Sequence, residues 1–399
     1  VLSSEIYAPL HPETLADPYP IFRRLQVEAP VAWHDKLCAW VLSRYDDCSR
    51  VLRSSVDFSR DPAKLLGVNE TSREGMTIQS HDPPDSIPLR QALAITLDRI
   101  DVATVCRGAG DRLKQCLARQ PVDRPFDFMS DAAAPAALHF ACRLIGVPEI
   151  ASETYESIFV RVTRAMDSSL DGNRYNAGRE ATHELNELIL AALPVAAPGS
   201  VIYDLNLARG VREMSAGYVR NTIAAMFNAA YSTAHASMGS FLALSLERPG
   251  LARRIVDSGQ VTKGVQELLR FTSPAQATMR YCARDTVISG ITIRKMEPIV
   301  TLMAAANRDP KHFVNPDDLV LDRSPNPHLG FGWGPHFCVG AMPAQRFLEH
   351  FVRQLADWES EFALAGEPRW LDTATLRCLA RLPVSRQGQS PVNERVPPS

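Results

Sequence analysis

No Cys-x-x-Cys pair occurs in this chain, although it contains eight cysteines. Zinc ribbons and fingers use such pairs, so that class is disfavoured. The cysteines are scattered without framework spacing, which suits a reducing cytoplasm better than a disulfide scaffold. No glycine fingerprint for flavin or nicotinamide and no iron–sulfur cysteine cluster is present. Long apolar runs are missing too. The longest weakly polar stretch, Gly217 to Leu246, is interrupted by Arg220, Asn221, Asn228 and His235, which predicts a buried helix rather than a membrane span. The N-terminus begins with neither a basic nor an apolar leader region, so no signal peptide is read there. A soluble, cytoplasmic protein without a membrane partner is the expectation.

Charge excludes further classes. The net charge of −2 and the absence of a basic run interleaved with aromatics give no reason to expect nucleic acid as a partner. No Ser/Gly linker, low-complexity tract or internal repeat divides the chain, so residues 1–399 are read as one domain. With 45% hydrophobic residues that domain can bury a sizeable core.

What the chain does have is Phe331-Gly332-Trp333-Gly334-Pro335-His336-Phe337-Cys338-Val339-Gly340. Glycines around a single cysteine let the backbone take positive φ and approach a bulky group closely. A helix should follow, with Ala344, Leu348, Phe351, Val352 and Leu355 on one apolar face. Cys338 then lies near a helix N-terminus, where unpaired N–H groups favour a thiolate, a ligand suited to haem iron. Other readings stand beside this one: a buried structural cysteine, a zinc half-site with His336, or a nucleophile with His336 as base.

The stretch resembles the haem-binding signature of the cytochrome P-450 family, Phe-Gly-x-Gly-x-His-x-Cys-x-Gly, with every fixed position filled. The resemblance runs from Asp17-Pro18-Tyr19 to Leu382-Pro383-Val384 and is of the soluble bacterial type. It implies a mainly α (α+β) fold: a large helical lobe, a smaller β-rich lobe, and haem b buried between a long central helix and the helix after Cys338. By the same resemblance Cys338 ligates the iron. His336, Arg90 and Arg280 hold the propionates, with Phe331 and Ala229 also against the cofactor.

Taken in order, Asp17-Pro18-Tyr19-Pro20 opens a helix, Trp40-Val41-Leu42 is a strand and Tyr45 to Leu52 a helix. Arg60 to Ser80 reads as loop, with Met76 and Ile78 as pocket candidates by resemblance. In relatives the next element reads Asp-Pro-Pro-x-His-x-x-x-Arg. Here Arg90 is kept but Ser86 stands at the histidine position, so the propionate clamp is expected to be one donor short. Asp131 to Gly146 is apolar enough for a core helix. Asp167 to Gly178 is polar and is expected as a surface loop that relatives use as a lid.

The long helix carries Ala229-Ala230-Tyr231-Ser232-Thr233, thirty-four residues before Glu267. It matches the family segment Ala-Gly-x-Asp/Glu-Thr, which assigns Thr233 and Ser232 to oxygen activation. Ser232 stands where an acid is usual, and serine can pass a proton but cannot hold one in reserve. Ala225, Asn228 and Ala229 are expected to face the pocket, as are Ala275 and Gln276. Glu267 and Arg270 lie three apart on one helix face, seventy-one residues before Cys338. They are read as the Glu-x-x-Arg pair that fixes the cysteine loop, joined by Arg323. Leu376 to Val384 is expected to form a second pocket wall, and Ser289-Gly290 to turn a hairpin.

The implied activity is insertion of one oxygen atom from O2 into a small or medium-sized lipophilic organic substrate, by hydroxylation or O-dealkylation. Electrons are then expected from separate proteins, a ferredoxin and its reductase. Ser232 leaves room for a specialised oxidant driven by peroxide or performing coupling or rearrangement. A haem-bearing sensor without turnover is the reading from another class.

Overall fold

The computed structural model describes residues 3–67, 76–211 and 214–386. Its larger lobe is helical and is built around the helix Ala216–Glu247. At 32 residues this helix is about 48 Å long. Ser215 caps it, its hydroxyl accepting from the Tyr218 N–H at 3.1 Å, and no proline interrupts it. Between Ala224 and Ser245 most of its side chains are buried on several sides rather than along one stripe. It packs on Ala134–Ile145 and on Ala341–Trp358, the helix that follows the cysteine loop. That last helix buries Leu348, Phe351, Val352 and Leu355, the face its spacing predicts.

The smaller lobe holds a five-stranded sheet in the order Val31–His34, Ala39–Leu42, Pro298–Leu302, Ala277–Cys282, Phe58–Ser59. All pairings are antiparallel except Ala39–Leu42 with Pro298–Leu302, where Trp40 lies opposite Ile299. The expected hairpin is present as Thr286–Ile288 and Ile291–Ile293, with Ser289 and Gly290 both at positive φ. Pro383–Arg386 pairs with Phe126–Asp127 and Phe362–Leu364, returning the chain to the helical lobe.

Two expectations change. The polar segment from Asp167 to Gly178 is not one surface loop, because the helix Asn173–Ala192 already includes its second half. Gly178 lies so close to the neighbouring helix that a Cβ there would sit 2.0 Å from the Cβ of Ala165. Asp167 is buried, since its carboxylate binds the turn at Ala374 and Thr375. The core helix expected from Asp131 begins with a widened turn, Met129–Ala133, before regular α geometry at Ala134–Ile145.

Candidate active site

The two lobes enclose a cavity of about 800 Å3. The long helix contributes Ala225, Met226, Ala229, Ala230 and Thr233, whose three-and-four spacing puts them on one face. Opposite them lie Phe331, Gly332, Cys338 and Gly340 of the cysteine loop.

The loop is held from below. Glu267 and Arg270 are both fully buried and pair through Arg270 Nη2 and Nε at 2.7 and 2.8 Å. Arg323 Nε and the Val320 N–H donate to the same carboxylate at 3.0 Å. Arg270 also donates to the Asn307 carbonyl at 2.8 Å, and the Asn307 side chain accepts from the Leu329 N–H at 2.7 Å. Leu329 accepts from Gly332, and Phe331 accepts from the Cys338 N–H at 3.0 Å. A continuous series of hydrogen bonds thus runs from Glu267 to the cysteine. Gly332 and Gly334 both have φ of +69°, and a Cβ on Gly334 would meet the Leu52 carbonyl at 2.6 Å. Glycine is required at position 334 both by its conformation and by that close approach.

Cys338 exposes its surface to the cavity while protein surrounds it on its other sides. Burial pushes its thiol up from the ordinary value; the Gly340 N–H and the Arg90 charge pull the other way and do not win. The Gly340 N–H, at the start of the helix Ala341–Trp358, acts in the expected direction, towards a thiolate, and desolvation opposes it. The two competing chemistries lack their geometry. His336 gives Nε2 to Asp82 at 2.7 Å, so it is engaged away from Cys338. Among the described residues no group of three or more His, Cys, Asp or Glu side chains could hold a metal ion.

Charge tests whether haem fits. Arg60, Arg90 and Arg280 all border the cavity. Arg280 is 3% exposed and donates to neutral acceptors, Met279 O at 2.9 Å and Thr278 Oγ1 at 3.3 Å. Arg90 donates to the Phe337 carbonyl at 3.1 Å, but its Nε is buried without a partner, as is His336 Nδ1. Asp82 is the carboxylate acting on this cluster, and it already accepts from Ser59 Oγ, the Arg60 N–H and His336. Among the described residues Asp82 is the carboxylate whose charge acts on Arg60 and Arg280, so the three guanidiniums form an excess of positive charge at a partly desolvated place. A group carrying two carboxylates offsets that excess, and the small residues Ala229 and Ala230 let a flat ring lie against the long helix. The residues present fit haem.

Other expected site residues divide. Ile78 and Ala275 border the cavity, and the Ile78 N–H donates to Thr222 Oγ1 at 2.9 Å, fixing that segment to the long helix. Thr233 also borders it, its hydroxyl donating to the Ala229 carbonyl at 2.8 Å. Asn228 does not: its Oδ1 accepts from the Tyr155 hydroxyl at 2.9 Å on the opposite face of the helix. Ser232 is buried outside the cavity lining, about 100° around the helix from Thr233. Gln276 turns away between Ala275 and Ala277, its amide donating to the Ser273 carbonyl at 2.5 Å. Met76 is not part of the lining either. The second wall is Ala374 and Thr375, just before the expected Leu376, which instead bridges to Ala275. Tyr7, Arg60, Gln79 and Asp167 also border the cavity and carried no local signal in the sequence.

Comparison with known proteins gives a consistent neighbourhood. Residues 261–355 match the family described as Cytochrome P450. The chain is 28% identical over 376 residues to the mycinamicin IV hydroxylase/epoxidase of Micromonospora griseorubida, covering 87% of this chain and 89% of the relative. It is 26% identical to the polyketide biosynthesis cytochrome P450 PksS of Bacillus subtilis, covering 92% and 96%. Among solved structures, ligand-free Mycobacterium smegmatis CYP164A2 superposes with a TM-score of 0.80 at 26% identity, covering 94% of this chain and 98% of that one. Cytochrome P450epoK bound to epothilone D superposes with a TM-score of 0.84 at 20% identity, covering 96% and 99%.

Proposed function

This chain belongs to the cytochrome P450 family and is a monooxygenase of that family, and from that premise we propose that it inserts one oxygen atom from O2 into a small or medium-sized lipophilic substrate, by hydroxylation or O-dealkylation. The observation that carries the proposal is the Cys338 sulfur facing a large cavity across from the small residues of the long helix. Haem b is the cofactor we assign. Cys338 is its ligand, Arg90, Arg280 and His336 its propionate partners, and Phe331 and Ala229 its flanking contacts. When bound, the haem supplies oxygen binding and O–O cleavage, which a thiolate ligand favours.

The remaining work falls to this chain's side chains. Ile78, Ala225, Met226 and Ala275 present apolar surface to a substrate and keep bulk water from it. Thr233 Oγ1, bonded to the Ala229 carbonyl at 2.8 Å, can rotate its proton towards the cavity and take another from water. Arg270, Glu267 and Arg323 hold the cysteine loop at fixed height through Asn307 and Leu329. Electrons come from separate redox partners, for which a ferredoxin and its reductase are the pair we propose. The mycinamicin IV hydroxylase/epoxidase and the polyketide-biosynthesis relative support an organic substrate.

A second reading draws on Ser232. The acid of the usual pair is replaced by a serine that lies outside the cavity lining, so of the two residues only Thr233 brings its hydroxyl to the cavity. This favours a peroxide-driven or coupling oxidant. One experiment separates the readings: product formation with surrogate ferredoxin and reductase against product formation with hydrogen peroxide. The reduced, carbon-monoxide-treated spectrum of wild type and Cys338→Ser checks the ligand in the same samples. Faster turnover with peroxide overturns the first reading in favour of the second, and spectral binding with no product under either condition makes the protein a sensor.

A further inference from the structure

We propose that Arg60 grips a propionate of the haem and so takes over the place that Ser86 gives up. The inference rests on the cofactor assignment just made. Ser86 is fully buried, its hydroxyl finds no partner, and it does not border the cavity. A serine side chain is also shorter than an imidazole, so position 86 does not supply the donor that the family pattern places there.

Arg60 arrives from another direction. Phe58 and Ser59 pair with Cys282 and Tyr281, which sets the next residue beside the strand that carries Arg280. The Arg60 N–H is bound by both oxygens of Asp82, at 3.1 and 3.3 Å, and Asp82 is the carboxylate that holds His336 at 2.7 Å. With its backbone anchored to His336's own partner, Arg60 borders the cavity together with Arg90 and Arg280, near enough for their charges to act on one another. A planar guanidinium can meet a carboxylate with two parallel N–H bonds, so a rigidly placed arginine makes a full replacement for a histidine donor. Burial pushes Arg60 down to about 10, with Arg90 adding to the shift and Asp82 opposing it. A cation in that state gains from an anion beside it.

A carboxylate could also come from a substrate, and the test separates the two sources. Holoenzyme of wild type, Arg60→Gln, Arg60→Lys, Ser86→His and the Arg60→Gln/Ser86→His double variant is mixed with excess apomyoglobin, and haem transfer is followed in the Soret region. Dodecanoate and its methyl ester are titrated against the same proteins. The expected result is haem loss about tenfold faster or more in Arg60→Gln, an intermediate rate in Arg60→Lys, and recovery in the double variant. If Arg60→Gln does not accumulate as holoenzyme, Arg60→Lys with and without Ser86→His carries the comparison. Haem loss unchanged from wild type overturns the proposal, and a selective loss of dodecanoate binding at unchanged haem loss assigns the guanidinium to substrate instead. Wild-type protein without haem would strike at the cofactor assignment, a different failure.

Discussion

Thr375 donates its hydroxyl to the Asp167 carboxylate over 2.7 Å, across 208 residues of sequence. The other oxygen of Asp167 accepts the Ala374 N–H at 2.7 Å. Arg164 and Arg174 reinforce the same junction by binding Asp372 at 2.7 and 3.1 Å. The segment between the helices Ser152–Ala165 and Asn173–Ala192 is therefore fastened to the turn at Ala374 and Thr375, and both border the cavity. Opening the cavity at this side requires breaking these bonds.

Asp167→Asn tests that fastening and its pH dependence. Burial pushes the Asp167 carboxyl up, more than its hydrogen bonds and Arg174 push it down. A carboxyl raised in the fold binds its proton more tightly there than in the unfolded chain, so this group adds stability as pH falls from its folded value towards 3.8. In urea titrations the difference between wild type and Asp167→Asn should shift in favour of wild type on acidification through that window. Substrate binding and release, followed by stopped-flow absorbance, should be faster in the variant. A pH-independent difference with unchanged exchange rates counts against both roles.

His235 works with the opposite sign. It is buried on the far face of the long helix, stacked on Tyr231, with Nδ1 at 3.5 Å from Cys378 Sγ. Burial holds it down at about 4, so the folded chain refuses a proton that the unfolded chain accepts between about 4 and 6.5. Stability from this group is present above 6.5 and is lost as pH falls to 4, by about 3 kcal/mol. His235→Gln should be less stable at neutral pH and show a flatter acid limb in thermal melts. Parallel limbs for the two proteins would remove His235 as a cause.

Glu267→Gln should be costly. The substitution leaves Arg270, fully buried, and Arg323, largely so, facing a neutral amide. Removing one partner of such a pair costs about 3–5 kcal/mol, because the remaining charge stays desolvated. Equilibrium unfolding in urea measures this directly. Because Arg270 reaches the cysteine loop through Asn307, the variant should also lose haem faster than wild type. A change below about 1 kcal/mol would mean that the pair behaves like an exposed one.

The sequence announced its cysteine loop clearly, because glycines, a histidine and a cysteine at fixed offsets form a local pattern. Glu267 and Arg270 were legible for the same reason, three residues apart on a strongly amphipathic helix. That Asn228 does not border the cavity has an identifiable cause. The long helix is buried on several sides, so its hydrophobic pattern has no single phase and cannot say which residues face the cavity. Thr233 was placed by a neighbouring motif, whereas Asn228 turned out to serve Tyr155. Arg60 and Asp167 are long-range cases: Arg60 is anchored by Asp82 and Asp167 by Thr375, and neither partner lies within twenty residues.

Thr233→Ala isolates the proton path. In the wild-type helix the Thr233 hydroxyl satisfies the Ala229 carbonyl, and the Thr233 carbonyl accepts from Ser237 Oγ at 2.7 Å. Alanine keeps the helix, since its propensity is higher and the released Ala229 carbonyl retains its backbone partner. What is lost is a hydroxyl that both donates and accepts on the cavity face, while Ser232 lies outside the lining and cannot substitute for it. With electrons supplied by ferredoxin and reductase, product per NAD(P)H consumed should fall about tenfold or more, with hydrogen peroxide appearing in its place. With peroxide as the oxidant the oxygen arrives already carrying its protons, so the same variant should lose much less. Equal losses under both regimes would place Thr233 in substrate positioning rather than in proton delivery.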